Sequence, residues 1–414
     1  MVLTTGSATA QDWPQFRGPN GNGESDSEAP TKWDEKTNLI WKKQIPGHGS
    51  SSPIVVGDKI ILTAFSGYGI DPDDTGQLEN LKLHTICFDR ATGELIWDKS
   101  ISSSSNEQKF SRRVADHGYT SGTPASDGKS VYAFFGVSGC VAYDLDGNQL
   151  WHNKELGTNT AGFGSASSPV VDDRHVYLNA SIESGTLFAL DKKNGSVVWS
   201  RQNVVKSWST PCLAKNERGE MELVINQKFT LFGLDPADGK ELWSCKGIED
   251  YVVPVPISEN GVVYCLGGRS NRAMAVKLGG KGDVTDSHRL WMVNIGANVT
   301  SPILHEGHLY WASDKGIANC LKASDGKAVF RERMPTQARV YASIVRSGNR
   351  LYLTTRDSGV WVLEANPTFN ALALNVFDAD EEMFNASPAI DGGRILLRNN
   401  KFLYCIGTTA DSDQ

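Results

Sequence analysis

Long apolar runs, basic tracts and paired cysteines are all missing from this chain. No stretch approaches the roughly 18 consecutive apolar residues of a membrane-spanning helix, so none is expected. Lysine and arginine number 41 against 48 acidic residues, a net charge of −7, and no basic run occurs. A general nucleic-acid binder carries a basic face, so nucleic acid is excluded as a partner. The 7 cysteines include no Cys-x-x-Cys, no Cys-x-x-Cys-His and no adjacent pair, which removes zinc ribbons, thioredoxin chemistry and c-type haem. Among the 8 histidines, His84, His175, His288, His305 and His308 show no metal-ligand spacing. A Gly-rich phosphate loop, a nucleophile elbow and a kinase signature are likewise absent. Asp71-Pro-Asp73-Asp74-Thr-Gly76 misses the EF-hand pattern, because Lys82 stands where the bidentate Glu belongs; it reads as an exposed acidic loop.

What is present is a repeat. The 41 glycines and 11 tryptophans, with only 39% hydrophobic residues, suit many short strands joined by tight turns. The repeating hairpin reads Asp89-Arg-Ala-Thr-Gly93-Glu-Leu-Ile-Trp97, then Asp191-Lys-Lys-Asn-Gly195-Ser-Val-Val-Trp199, then Asp235-Pro-Ala-Asp-Gly239-Lys-Glu-Leu-Trp243. A shortened copy is Asp144-Leu-Asp-Gly147-Asn-Gln-Leu-Trp151. Asp accepts hydrogen bonds from the turn's backbone N–H groups, and Gly takes the positive φ that closes it. With weaker copies included, the tryptophan position recurs as Trp41, Trp97, Trp151, Trp199, Trp243, Trp291, Phe330 and Leu372.

The strands that open each unit also recur: Ser52-Pro53, Thr123-Pro124, Ser168-Pro169, Thr210-Pro211, Val253-Pro254, Ser301-Pro302, Ser343-Ile344 and Ser387-Pro388. Trp41 precedes the first of them, and the last unit ends near Cys405 with no tryptophan hairpin of its own. The expected fold is therefore all-β, a single eight-bladed β-propeller of four-stranded antiparallel blades, with Leu39-Ile40-Trp41 as the outer strand of the last blade. Closure of this kind leaves only short, protected strand edges. Two residues before each hairpin Asp stands Cys87, Ala142, Ala189, Gly233, Ala275, Cys320, Val362 or Cys405, an inner packing position where cysteine acts as a small hydrophobe.

Hairpins of the form Asp-x-x-x-Gly-x-x-x-Trp between apolar strands resemble those of the quinoprotein-like (PQQ-repeat) β-propellers, over residues 38–407. Trp13-Pro14-Gln15-Phe16-Arg17-Gly18-Pro19 and Gly280–His288 are similar to segments of exported members. Ala8-Thr9-Ala10 resembles a signal-peptidase site. The implied organisation is a residual signal segment at 1–10, a leader at 11–37 packing on the propeller, the propeller at 38–407 and a tail at 408–414. The family includes dehydrogenases that hold pyrroloquinoline quinone (PQQ) and Ca²⁺ near the axis, and BamB-like scaffolds that bind proteins. The dehydrogenases carry an adjacent-cysteine disulfide and a Glu/Asn/Asp calcium set that cannot be located by motif here. The preferred reading is thus an exported, periplasmic, monomeric scaffold with protein partners, no catalytic residues and no cofactor. A PQQ- and Ca²⁺-dependent dehydrogenase with a divergent site is the alternative, and a glycan-binding propeller the third reading.

Any ligand site should lie at the rim of the axial channel, where blade-to-blade segments converge. The candidates there are His48, His117, Tyr119, Lys206, Trp208, Asn298, Arg339, Tyr341 and Asn385. Lys206 and Arg339, with the histidines, would hold an anionic group; Trp208 or Tyr341 would stack on a flat ring. Inserts at 66–83 and 98–122 decorate the ring, the second expected to form a flap near the funnel.

Overall fold

The computed structural model describes residues 12–336 and 338–408. The expected leader remnant at 1–10 and nearly all of the expected tail lie outside the described residues. Eight four-stranded antiparallel sheets follow one another in chain order around a ring. Blade 1 consists of Ile54–Val56, Lys59–Ser66, Lys82–Asp89 and Leu95–Ser102, numbered from the axis outward. Blades 2–7 repeat this order, and blade 8 takes Ala389–Asp391, Arg394–Arg398 and Phe402–Ile406 from the C-terminal end. Its outer strand is Leu39–Gln44, paired antiparallel with Phe402–Ile406 so that Trp41 faces Cys405. The first and last segments of the propeller thus close one blade.

Strand register explains the small residues. Cys87 pairs with Trp97, Ala142 with Trp151, Ala189 with Trp199, Gly233 with Trp243, Ala275 with Trp291 and Cys320 with Phe330. A small side chain on the third strand lets the outer aromatic lean across to the second strand. Trp151 there meets Tyr132 at 5.8 Å, Trp199 meets Tyr177 at 5.9 Å and Trp291 meets Tyr264 at 6.2 Å between ring centroids. Gly233 is the extreme case, since a Cβ there would fall 2.1 Å from the Trp243 indole. All seven cysteines are buried free thiols, and burial pushes the Cys87, Cys320 and Cys405 thiols up to about 12. They are packing residues, inert as nucleophiles at neutral pH.

The same tryptophans join neighbouring blades. Trp41, Trp97, Trp151, Trp199 and Trp291 lie over Gly93, Gly147, Gly195, Gly239 and Gly326 of the next blade's hairpin. A Cβ on any of these glycines would sit 2.5–2.9 Å from an indole atom. Each indole N–H donates to a carbonyl of that hairpin, at Ala91, Leu145, Lys192, Pro236 and Ala323, over 2.8–3.1 Å. Gly is thus required twice, for its positive φ and for the close approach of the ring.

Three junctions depart from the pattern, each for a visible reason. Trp243 donates instead to buried Glu222 Oε2 at 2.6 Å, because the insert of blade 5 lays Gly282–Asp283 alongside its strand. Phe330 has no N–H and packs edge-on against Phe369 of the blade 7 hairpin, 5.5 Å away at 66°. In blade 7 the residue facing Val362 is Ala373, which corrects the expected Leu372. The hairpin there is one residue longer: Glu364 N bonds Asn370 O, whereas Asp89 N bonds Glu94 O in blade 1. The missing aromatic comes from the leader. Trp33 stacks on Tyr352 at 6.2 Å and 30°, and its backbone N–H is held by Asn375 Oδ1 at 2.8 Å.

At the axis, the Ser/Thr-Pro positions form a second chain of contacts. Backbone N–H groups of Ser52, Thr123, Ser168, Val255, Ser301 and Ser343 donate to hydroxyls of Thr123, Ser168, Thr210, Ser301, Ser343 and Ser387 in the next blade, over 2.8–3.0 Å. Where blade 8 meets blade 1, fully buried Arg398 takes over: Nη1 donates to Ser51 O, Ser51 Oγ and Thr63 O at 2.6–2.9 Å. Among the described residues no carboxylate pairs with it, and burial pulls its pKa down to about 9. The leader crosses the opposite end of the channel. Trp13 bridges Val55 of blade 1, Pro14 O accepts from Ser126 N of blade 2, and Asn22 Nδ2 donates to Ser258 O of blade 5. Buried Arg17 donates to the carbonyls of Pro302 and Ile344, and Glu24–Ser25 adds a parallel strand to the inner edge of blade 7.

Because Leu39–Gln44 supplies a quarter of blade 8 and one of the interlocking tryptophans, a chain lacking residues 1–44 is expected to melt roughly 10 °C or more below the full chain, or not to fold. A chain beginning at residue 12 is expected to match the full chain in thermal denaturation. Equal melting of the shorter form would contradict strand closure.

Candidate functional site

The segments that carry the chain from one blade to the next enclose an axial cavity of about 280 Å³. His117, Phe163, Trp208, Tyr251, Asn298, Tyr341 and Asn385 each enter it from a different junction, as eight-fold pseudo-symmetry requires. Ser52, Thr123, Thr210, Ser301, Ser343 and Ser387 line it lower down, and Phe16 of the leader reaches it from below. With Arg17 buried against Pro302 and Ile344 beneath, the channel is a floored cup.

The walls are held by their polar ends. Trp208 Nε1 donates to Gly164 O at 2.8 Å, and its ring meets that of Tyr251 edge-on at 5.9 Å and 77°. Tyr251 OH donates to Asn298 Oδ1 at 2.7 Å. The segment containing Asp116 spans the mouth from blade 1 to blade 7. A short helix, Arg112–Ala115, is capped by Ser111, and beyond it the Asp116 carbonyl accepts from Asn385 Nδ2 at 2.8 Å. The Asp116 carboxylate pairs with buried Arg356 at 3.3 Å, and that guanidinium lies 4.6 Å from the centroid of Tyr341. The 98–122 insert is therefore an outer strand as far as Ser102, followed by a docked strap. Burial lowers the His117 pKa and keeps the ring neutral; its Nδ1 is 3.1 Å from Ser121 Oγ.

Five of the nine candidate residues line this cavity: His117, Trp208, Asn298, Tyr341 and Asn385. Lys206 and Arg339 are exposed and do not line it, so the structure does not assemble a Lys206–Trp208–Arg339 cluster. His48 opens on a separate chamber of about 200 Å³ with Phe110, Glu382 and Lys401. Tyr119 packs in an apolar cluster against Phe65 at 5.3 Å and Tyr68 at 5.9 Å. Arg269, Arg356 and Glu183 were not anticipated. All three sit in or beside the connections between second and third strands, which share this face of the ring with the blade-to-blade segments.

Among the described residues no carboxylate lines the cavity, which offers hydroxyls, amides, one neutral imidazole and the Arg269 guanidinium. Calcium takes six to eight oxygen ligands that include carboxylates, so this donor set does not fit a calcium-held quinone. Among the described residues, no three His, Cys, Asp or Glu side chains converge to hold a metal.

One acid does control the rim from behind. Glu183, 1% exposed, accepts the hydroxyl of Ser165, while its backbone carbonyl accepts from Thr158 and Asn159. It thereby pins the loop that carries Phe163 and the Gly164 carbonyl holding Trp208. Burial, with the Glu107 carboxyl nearby, pushes its pKa from 4.5 to about 7. The folded state holds this proton more tightly than the unfolded chain does. Its contribution to stability is thus complete below pH 4.5 and is lost as pH rises to about 7, a change of up to about 3 kcal/mol. Glu183→Gln keeps an acceptor for Ser165 and cannot ionise. It is expected to raise the urea midpoint at pH 8 relative to wild type and to flatten the decline between pH 5 and 8. An unchanged pH profile would contradict this role.

Comparison with known proteins agrees with this architecture. The family described as outer membrane protein assembly factor BamB matches residues 80–217 and 280–399. The BamB protein of Yersinia pestis is 22% identical over 328 residues, covering 66% of this chain and 78% of its own length. That of Alkalilimnicola ehrlichii is 26% identical over 164 residues, covering 38% of this chain and 33% of its own length. Among solved structures, BamB from Moraxella catarrhalis superposes with a TM-score of 0.61 at 11% identity, covering 89% of this chain and 99% of the other. The quinohemoprotein alcohol dehydrogenase of Comamonas testosteroni gives 0.62 at 12% identity, covering 97% and 82%, so structural likeness alone establishes the ring and not a reaction. The matched family model spans more than half of the chain, and the chain belongs to the outer membrane protein assembly factor BamB family.

Proposed function

We propose that this chain is a non-catalytic periplasmic scaffold that docks a protein of the outer-membrane assembly machinery on the rim of blades 3 and 4. Family membership supports the class of function, and one residue carries the location. Phe229 is 56% exposed and adopts φ 71°, in the two-residue turn between Met221–Gln227 and Thr230–Leu234. A left-handed conformation costs a bulky residue roughly 1–2 kcal/mol, and exposing an aromatic ring forgoes its burial as well. The backbone is fixed there: Lys228 N donates to Val205 O at 3.1 Å, and Gly247 N to Phe229 O at 2.8 Å. Val205, 44% exposed, extends the apolar surface, and Lys228 Nζ lies 4.6 Å from the Phe229 ring centroid. Strain combined with exposure of an aromatic is the pattern of an interface anchor rather than of a folding determinant.

Phe229→Gly should leave the melting temperature unchanged or raise it. It should weaken binding of the purified assembly partner by about thirty-fold, the size of a 2 kcal/mol anchor. Photo-crosslinking from position 229 in cells should capture a component of that machinery. The exposed Leu290 on the outer strand of blade 5 should not. Equal capture at both positions, or undiminished binding by the Gly variant, would contradict the proposed site.

A further inference from the structure

We infer that the axial cup is a carbohydrate-binding site sized for one or two sugar rings. This does not rest on the scaffold reading and concerns a different part of the surface. The volume of about 280 Å³ lies just below the roughly 300–1,000 Å³ that most ligand sites enclose, which suits a small ligand. A cup closed by Phe16 and the leader retains a small molecule where an open channel would pass it.

The wall chemistry selects the class. Trp208 and Tyr251 stand at 77°, so they form a corner and not a slot. A flat heterocycle needs two near-parallel faces; a puckered saturated ring seats its C–H face on one aromatic and its edge against the other. Both rings have committed their own polar atoms, to Gly164 O and Asn298 Oδ1, and so are fixed before a ligand arrives. Around them stand serine and threonine hydroxyls and the amides of Asn298 and Asn385, donors and acceptors that match the hydroxyls of a polyol. Arg356 is committed to Asp116 and does not line the cup, and among the described residues Arg269 is the one cation that does, 5.8 Å from the Tyr251 ring centroid. The site therefore accepts neutral sugars and tolerates a single carboxylate.

The test is calorimetric titration of the full chain with N,N′-diacetylchitobiose, maltose and glucuronic acid, with pyrroloquinoline quinone as a further probe. At least one saccharide is expected to bind 1:1 with a Kd of about a millimolar or tighter. Trp208→Ala and Tyr341→Ala should each weaken it tenfold or more. Lys206→Ala, off the cavity, should leave it unchanged. Trp208→Phe, which keeps the stacking face, should restore most of the binding if Trp208→Ala disturbs the fold. Phe229→Gly should have no effect, which separates this site from the docking rim. Absence of binding by all three saccharides would overturn the assignment. So would saccharide binding that survives both aromatic substitutions, or binding of the quinone alone with the same dependence on Trp208.

Discussion

The ring depends on one contact: the indole of one blade laid over the hairpin glycine of the next, with its N–H given to that hairpin's carbonyl. Each side of the contact fixes a residue type. Glycine is required because its Cβ-free face receives the ring, and a small third-strand residue because the ring must tilt to arrive there. Asp holds the turn that presents the glycine. Each buried indole and its hydrogen bond contribute on the order of a few kcal/mol, but their main effect is geometric. They fix the angle between neighbouring blades at five of the eight junctions, and with the other three braced by different contacts the two ends of the chain meet in one sheet.

The leader is the counterpart of that interlock where the repeat weakens. Blade 7 has Ala373 in place of tryptophan, and Trp33 occupies the vacancy against Tyr352. Arg17 makes a similar substitution underneath, joining blades 6 and 7 through backbone carbonyls while fully desolvated. Arg398 does so at the closing junction. Among the described residues the two most buried guanidiniums thus bond to neutral acceptors at joints. Arg17 uses the fork of its guanidinium, giving both terminal nitrogens to backbone carbonyls, whereas all the bonds of Arg398 come from Nη1. By flooring the channel the leader also turns a structural seam into a cup, so the device that braces the ring defines its candidate ligand site.

Much of this was legible in the amino-acid sequence because the repeat demands the same residue at fixed offsets for backbone reasons. The Asp–Gly–Trp hairpins, the Ser/Thr-Pro openings and the strand at Trp41 all belong to that class. Leu372 was misplaced because the hairpin from Glu364 is one residue longer, and no spacing rule reveals a loop that has drifted. Trp33 was not legible as a blade residue, since it arrives from the other end of the chain. At the site, aromatic and amide positions in blade-to-blade segments were readable from pseudo-symmetry. The cations were not: Lys206 and Arg339 share the same segments yet remain solvated, while Arg269 and Arg356 come from the inner connections.

The account stands most directly on the Trp151–Gly195 contact, where the three atoms nearest a Cβ would all belong to that indole, the closest at 2.5 Å. A double-mutant cycle with Trp151→Ala and Gly195→Ala, read by urea denaturation, tests it. In the wild-type background Gly195→Ala should cost the clash plus about 1–2 kcal/mol of left-handed strain. In the Trp151→Ala background only the strain should remain, giving a coupling of about 1 kcal/mol or more. Costs that simply add would show that indole and glycine do not bear on each other, and the interlock would not be what sets the ring.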